Sequence, residues 1–125
     1  NVRDWIHVVD HCEAIDCILR DGKAGEVYNI GGDGERANID MVRLILDELG
    51  KSEDLIQFVR DRPGHDKRYA MDASKIKGEL GWGPQYGLEE GIAETVAWYQ
   101  ENAEWVENCI SGEYLEYYER NYGGR

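Results

Sequence analysis

The chain has 125 residues, 14 Lys and Arg against 26 Asp and Glu, a formal charge of −12 and an apolar fraction of 42%. That suffices for one domain around one core; no apolar run approaches the 18 residues of a membrane span, and the acidic balance excludes the broad basic face that binding a nucleic-acid backbone needs. Three cysteines at 12, 17 and 109, with no C-x-x-C, read as reduced packing thiols of a soluble, cytoplasmic protein rather than a disulfide frame or a zinc site.

Asn1-Val2-Arg3-Asp4-Trp5 has the character of a domain interior, so the chain reads as part of a longer protein. Trp5 to Val9 is short, apolar and β-branched, which predicts a strand, and Asp10-His11-Cys12-Glu13 matches a capping box opening a helix near 11–20 with Ile15, Ile18 and Leu19 on its apolar stripe. Glu26 to Ile30 predicts a second strand ending in the glycine loop Gly31-Gly32-Asp33-Gly34, which is neither G-x-G-x-x-G nor a P-loop. Asn38 then stands as the N-cap of a helix near 39–49 whose Ile39, Val42, Ile45, Leu46 and Leu49 follow helical spacing.

Leu55 to Val59 predicts a third strand leading into Asp61-Arg62-Pro63-Gly64-His65-Asp66-Lys67-Arg68-Tyr69. Arg60, Arg62, His65, Lys67 and Arg68 crowd together there, inside an otherwise acidic chain. Pro63-Gly64 marks a tight turn flanked by a guanidinium fork and an imidazole, a geometry that suits a phosphate. The alternative is a plain surface turn whose Arg and Lys pair with Asp61 and Asp66. Asp72 or Ser74 opens a helix near 73–80, Leu88 to Asn102 carries the longest amphipathic stripe, Trp105 to Ile110 suggests a shorter helix, and Tyr114, Leu115, Tyr118 and Tyr122 stand at helical spacing near the end. The sum is a mixed α/β fold, mostly helical, with few short strands.

Catalytic chemistry is absent from this inventory. The acidic stretches Glu89-Glu90 and Glu113 to Glu119 lie on solvated helix faces, His7 and His11 straddle an element boundary and make a poor metal pair, and Ser74 and Ser111 read as caps or turn residues.

Arg3-Asp4-Trp5-Ile6-His7-Val8-Val9-Asp10-His11, Tyr28-Asn29-Ile30-Gly31-Gly32, Asp61-Arg62-Pro63-Gly64-His65-Asp66 and Glu79-Leu80-Gly81-Trp82 resemble, in this order, the C-terminal part of the dTDP-glucose 4,6-dehydratase family of the extended short-chain dehydrogenase/reductase group. The resemblance implies a single substrate-side domain over residues 1–125, holding the diphosphate of dTDP-glucose or a related nucleotide sugar through Arg3, Asn38, Arg62, His65 and, in a C-terminal contact, Tyr114. His65 as imidazolium would be the better phosphate donor, so affinity would fall with rising pH. It implies further that NAD, the Tyr-x-x-x-Lys pair and the acid/base carboxylates belong to an N-terminal Rossmann half outside these residues. This chain would then hold no cofactor and be inactive alone, as part of a lyase in which NAD takes a hydride from sugar C4 and returns it to C6 after water is lost. A sister epimerase or decarboxylase, or a non-catalytic nucleotide-sugar or partner-binding module, shares most of these motifs. Apolar surface left by the N-terminal half would drive self-association, so a homo-oligomer is expected.

Overall fold

The computed structural model describes residues 1–61 and 63–112. The chain divides between residues 93 and 94 into two compact units. In the first, β1 (Val2–Trp5) is followed by α1 (Val8–Asp21), β2 (Gly34–Ala37), α2 (Asn38–Glu48), a short 3-10 turn at Glu53–Leu55 and α3 (Ser74–Leu80), and α4 (Leu88–Glu101) begins there. The second holds the rest of α4, and α5 (Ala103–Ile110). The fold class is therefore mixed α/β and mostly helical, with one small sheet among the described residues.

The sheet is an antiparallel pair in the register Val2↔Ala37, Arg3↔Arg36, Asp4↔Glu35 and Trp5↔Gly34. On the other side of β1 the chain around Arg68 makes a single parallel bridge, with Val2 N donating to Lys67 O (2.8 Å) and Tyr69 N to Val2 O (3.0 Å). β1 is thus the centre strand of the region and carries Arg3 between both neighbours.

Three strand expectations change. The strand expected at Trp5 to Val9 ends at Trp5, because His7 already takes the extended N-cap conformation and α1 starts at Val8. Glu26 to Ile30 keeps the alternation of a strand, with Tyr28 and Ile30 packed on the core while Val27 and Asn29 are exposed, yet it is laddered to no strand among the described residues. Leu55 to Val59 is likewise unladdered, and Phe58 and Val59 are 83% and 80% exposed. A strand needs a backbone partner as well as a pattern.

The helices fall close to expectation, with different ends and faces. Asp10 is no cap: it sits in the first turn of α1, 1% exposed, and accepts from Gln85 N (2.9 Å) and Tyr86 N (3.1 Å), so it ties α1 to the loop before α4. Its charge also suits the positive end of the helix. The buried face of α1 is Asp10, Ala14, Cys17 and Ile18, whereas Ile15 and Leu19, expected on the stripe, are exposed together with Val8 and Cys12. Ala14, Ala73, Ile76 and Trp82 form the core, with Ile6, Ile18, Tyr28, Ile30 and Leu80 around them. Asn38 is the first residue of α2 rather than its cap, that place being taken by Ala37. In α2 Met41 and Leu46 are the buried pair, and Val42, Ile45 and Leu49 stay on the surface. The N-cap of α3 is Ala73, and Asp72, one residue before it, accepts from Ser74 N through Oδ1 (2.9 Å).

The extended stretch at Glu26 is pinned by an ion pair. Lys75 Nζ donates to Glu26 Oε2 (2.7 Å) and to Val27 O (2.9 Å), and lies 4.7 Å from the centre of the Tyr28 ring. The hydrogen bond from Lys75, reinforced by its charge, holds the Glu26 carboxyl below its ordinary 4.5, and the same bond raises Lys75 above its ordinary 10.5. A lowered carboxyl stabilises the fold above its unfolded value and loses that contribution as pH falls through the folded one; a raised amine contributes below its unfolded value and loses it as pH rises through the folded one. The stability gap between wild type and Lys75→Met is therefore expected to be flat across neutral pH, to shrink as pH falls below 4.5 and to shrink again above 10.5. Urea titrations across that range read it directly. A gap that widens in acid would show that the pair does not form.

In the second unit Trp98, Tyr99 and Trp105 pack edge to face, with Trp98 and Trp105 centroids 5.2 Å apart at 72°. Such pairs add to their burial through the ring quadrupoles.

Candidate anion site

The site grows from β1 and the turn after residue 61. Gly64 has φ 71°, the positive value required at the third position of a Pro-Gly type II turn. The turn carries His65 back to β1, where the ring is 20% exposed. His65 Nε2 lies 2.7 Å from Arg3 Nη2 and Nδ1 lies 2.7 Å from Asp61 Oδ1, with Asn1 Nδ2 2.9 Å from the same nitrogen.

Arg3 is held from several sides at once. Its Nη1 donates to Val2 O (2.6 Å), its Nη2 to Asp66 O (3.1 Å), and its guanidinium carbon sits 4.3 Å from the centre of the Tyr69 ring. The Tyr69 hydroxyl donates in turn to Asp66 Oδ2. A long, rotamer-rich side chain fixed in this way has little freedom left to lose on meeting an anion; with Nη2 engaged by His65 and Asp66, its Nε–H and second Nη1–H are the donors left for one.

Asn38 reaches the same place through the first residue of the chain. Its N–H donates to Asn1 O (2.8 Å), while Asn1's side chain touches His65. Asn38 Oδ1 is buried with no hydrogen-bond partner among the described residues. A buried acceptor in that state calls for a donor.

The structure thus gathers Arg3, His65 and, one residue further, Asn38. Arg62 and Tyr114 lie outside the described residues. The plain surface-pair reading holds for Arg68, whose Nε and Nη2 both donate to Glu35 Oε2 (3.0 and 2.6 Å), though its partner is Glu35 and not a neighbour in the turn. Sequence reasoning passed over Asn1, Tyr69 and the pairing of Asp61 with His65. The Asp-x-x-x-His spacing was visible in the turn; the approach of Asn1 depends on the fold and left no local signal.

The glycine loop does not fit NAD. In the glycine loop after Ile30, Gly34 N is already spent on Asp4 Oδ1 (3.0 Å), and a Cβ on Gly31 would meet Asp4 Oδ2 and Met71 at 2.7 and 3.0 Å, so the loop is packed against its own protein. No group of three or more His, Cys, Asp or Glu among the described residues is placed to hold a metal ion.

Residues 1–95 match the model of the family described as GDP-mannose 4,6 dehydratase. A curated dTDP-glucose 4,6-dehydratase of Shigella flexneri is 52% identical over 99% of this chain, and one of Xanthomonas campestris pv. campestris 52% identical over 90%. The chain spans about a third of their length, 36% and 35%. Among solved structures, dTDP-glucose 4,6-dehydratase of Bacillus anthracis in complex with NAD is similar over 84% of this chain and 33% of its own, at 53% identity and TM-score 0.79. The same enzyme of Streptomyces venezuelae, with NAD and TYD bound, gives 47% identity and TM-score 0.80 over the same shares.

Proposed function

This chain belongs to the GDP-mannose 4,6 dehydratase family, and from that premise we propose that it is the substrate-holding part of a dTDP-glucose 4,6-dehydratase. The reading rests on the convergence of Arg3 and His65, with Asn38 beside them through Asn1, inside a chain of net charge −12. A diphosphate approaching such a chain is repelled except where cations reverse the field locally. Arg3, Asn38, Arg62 and Tyr114 take the nucleotide diphosphate and its nucleoside, with Arg62 as a forked donor, while His65 stands behind Arg3 and holds it rather than touching the ligand.

The residues that oxidise the sugar and remove water come from the longer protein. An N-terminal half carries NAD, and that half covers the apolar surface this chain leaves open: Val8, Ile15 and Leu19 on α1, and Val27, Phe58 and Val59 on the two unladdered stretches. The whole enzyme works in the cytoplasm on deoxysugar synthesis of the rhamnose kind and assembles as a homo-oligomer. Within it, this chain binds and orients the substrate.

Calorimetric titration of the chain with dTDP, UDP and inorganic phosphate tests the site. Both nucleotides are expected to bind more tightly than phosphate, because a diphosphate reaches two guanidinium groups and the nucleoside adds contacts at Asn38 and Tyr114. Turnover of dTDP-glucose by the chain alone is expected to be nil. Equal, feeble binding of all three ligands would reject the site.

A further inference from the structure

The contacts of His65 fix its proton. A guanidinium only donates, so Nε2, 2.7 Å from Arg3 Nη2, must present its lone pair; a carboxylate only accepts, so Nδ1, 2.7 Å from Asp61 Oδ1, must carry the hydrogen. Only the neutral Nδ1–H tautomer meets both demands. An imidazolium would set Nε2–H against an arginine N–H, and the Nε2–H tautomer would add to that clash a lone pair facing a carboxylate oxygen. Asn1 Nδ2 stands on the same edge and is within 3.5 Å of Asp61 Oδ2, where it donates instead.

We propose that Asp61 is a positioning residue for nucleotide binding: it holds His65 as the Nδ1–H tautomer, and His65 Nε2 in turn fixes one edge of the Arg3 guanidinium. The inference rests on the reading of Arg3 as an anion ligand. It separates two roles that the turn merges in sequence. Arg3 meets the ligand, whereas Asp61 acts on it through a ring and a second side chain.

The role has a sign that charge alone reverses. Asp61 is a carboxylate close to a site for an anion, so by simple electrostatics any neutral replacement should tighten binding. By positioning, Asp61→Ala frees the ring to move its proton to Nε2, turns the acceptor facing Arg3 into a donor and releases the guanidinium. Asp61→Asn keeps a carbonyl oxygen for Nδ1–H and so keeps the relay.

The test pairs two measurements on the chain. Nitrogen-15 spectra of the histidine rings report which nitrogen is protonated, and calorimetry with dTDP reports affinity. The wild type and Asp61→Asn are expected to show Nδ1–H at His65 and to bind alike within about twofold, while Asp61→Ala shifts the proton toward Nε2 and weakens dTDP about tenfold, the effect of losing roughly one hydrogen bond. Tighter binding by both variants, or an Nε2–H ring in the wild type, overturns the proposal. A wild type with the expected tautomer that binds no dTDP overturns the reading of Arg3 as a nucleotide ligand, while the loss of that tautomer in Asp61→Ala still upholds the Asp61–His65 relay; its retention there overturns the relay.

Discussion

Asp10→Ala is expected to destabilise the fold by about 3–4 kcal/mol, since it strips the acceptor from two backbone N–H groups at roughly 1–3 kcal/mol each. Those donors, Gln85 and Tyr86, meet a side chain only 1% exposed, so water cannot simply take its place. The loss should reach beyond one loop. The Tyr86 ring lies 4.0 Å from that of His7, the N-cap of α1, so releasing the loop also loosens the start of that helix. Asp10→Asn keeps one oxygen and should lose about half as much. Urea unfolding with a fixed m-value is the measurement; an Asp10→Ala chain within 1 kcal/mol of wild type, about the worth of one net hydrogen bond, would mean that the loop donors find other partners at little cost.

For ligand binding the largest single effect is expected at Arg3. Arg3→Ala should weaken dTDP by about 1.5–3 kcal/mol, the range for hydrogen bonds to a charged group. Arg3→Lys should recover only part, because a point charge reproduces neither the several directed N–H groups nor the stacking on Tyr69. Arg62→Ala belongs to the same class on the strength of its motif. Arg60 and Lys67, exposed neighbours, serve as controls and should each change affinity by under about 1 kcal/mol. Calorimetry at one salt concentration decides: if Arg3→Ala binds as the wild type does, the anion is held elsewhere, and if neutral replacements at Arg3, Arg60, Arg62 and Lys67 weaken binding equally, only a diffuse field is at work.

The parts of this molecule that sequence could express were those written in neighbouring residues. Helices are local objects, so the stripes at Ile76 and Leu80 and along Leu88 to Glu101, and the stop at Gly81, placed α3 and α4 within a residue or two. Strands are not local. Tyr28 and Ile30 alternate inward as a strand should, but whether they ladder depends on a neighbour that their own sequence cannot supply. Gly34 to Ala37, which does form a strand, looks like a loop by composition and pairs because the backbone of β1 lies beside it. The site divides the same way. The turn's cations were legible as a cluster, and the family motifs drew in Arg3 and Asn38 from a distance. That His65 faces Arg3 with a lone pair could be read only once β1 and the turn were brought together.

The ladder beneath Arg3 sets like against like, Arg3 opposite Arg36 and Asp4 opposite Glu35. Such pairs repel. Each charge finds relief off the ladder, Arg36 near Glu89 (3.6 Å) and Glu35 on Arg68. A slip of one residue would bring Arg3 against Glu35, or Asp4 against Arg36, and would be electrostatically welcome. Shape forbids it. At Gly34 a Cβ would lie 2.5 Å from Trp5 O, so the slipped ladder would force Asp33 or Glu35 into a space that admits no side chain. A slip would also turn the side chains of whichever strand moved to its opposite face, and if that strand were β1 it would carry Arg3 away from His65. The smallest residue in the ladder therefore holds the register against the preference of its charges.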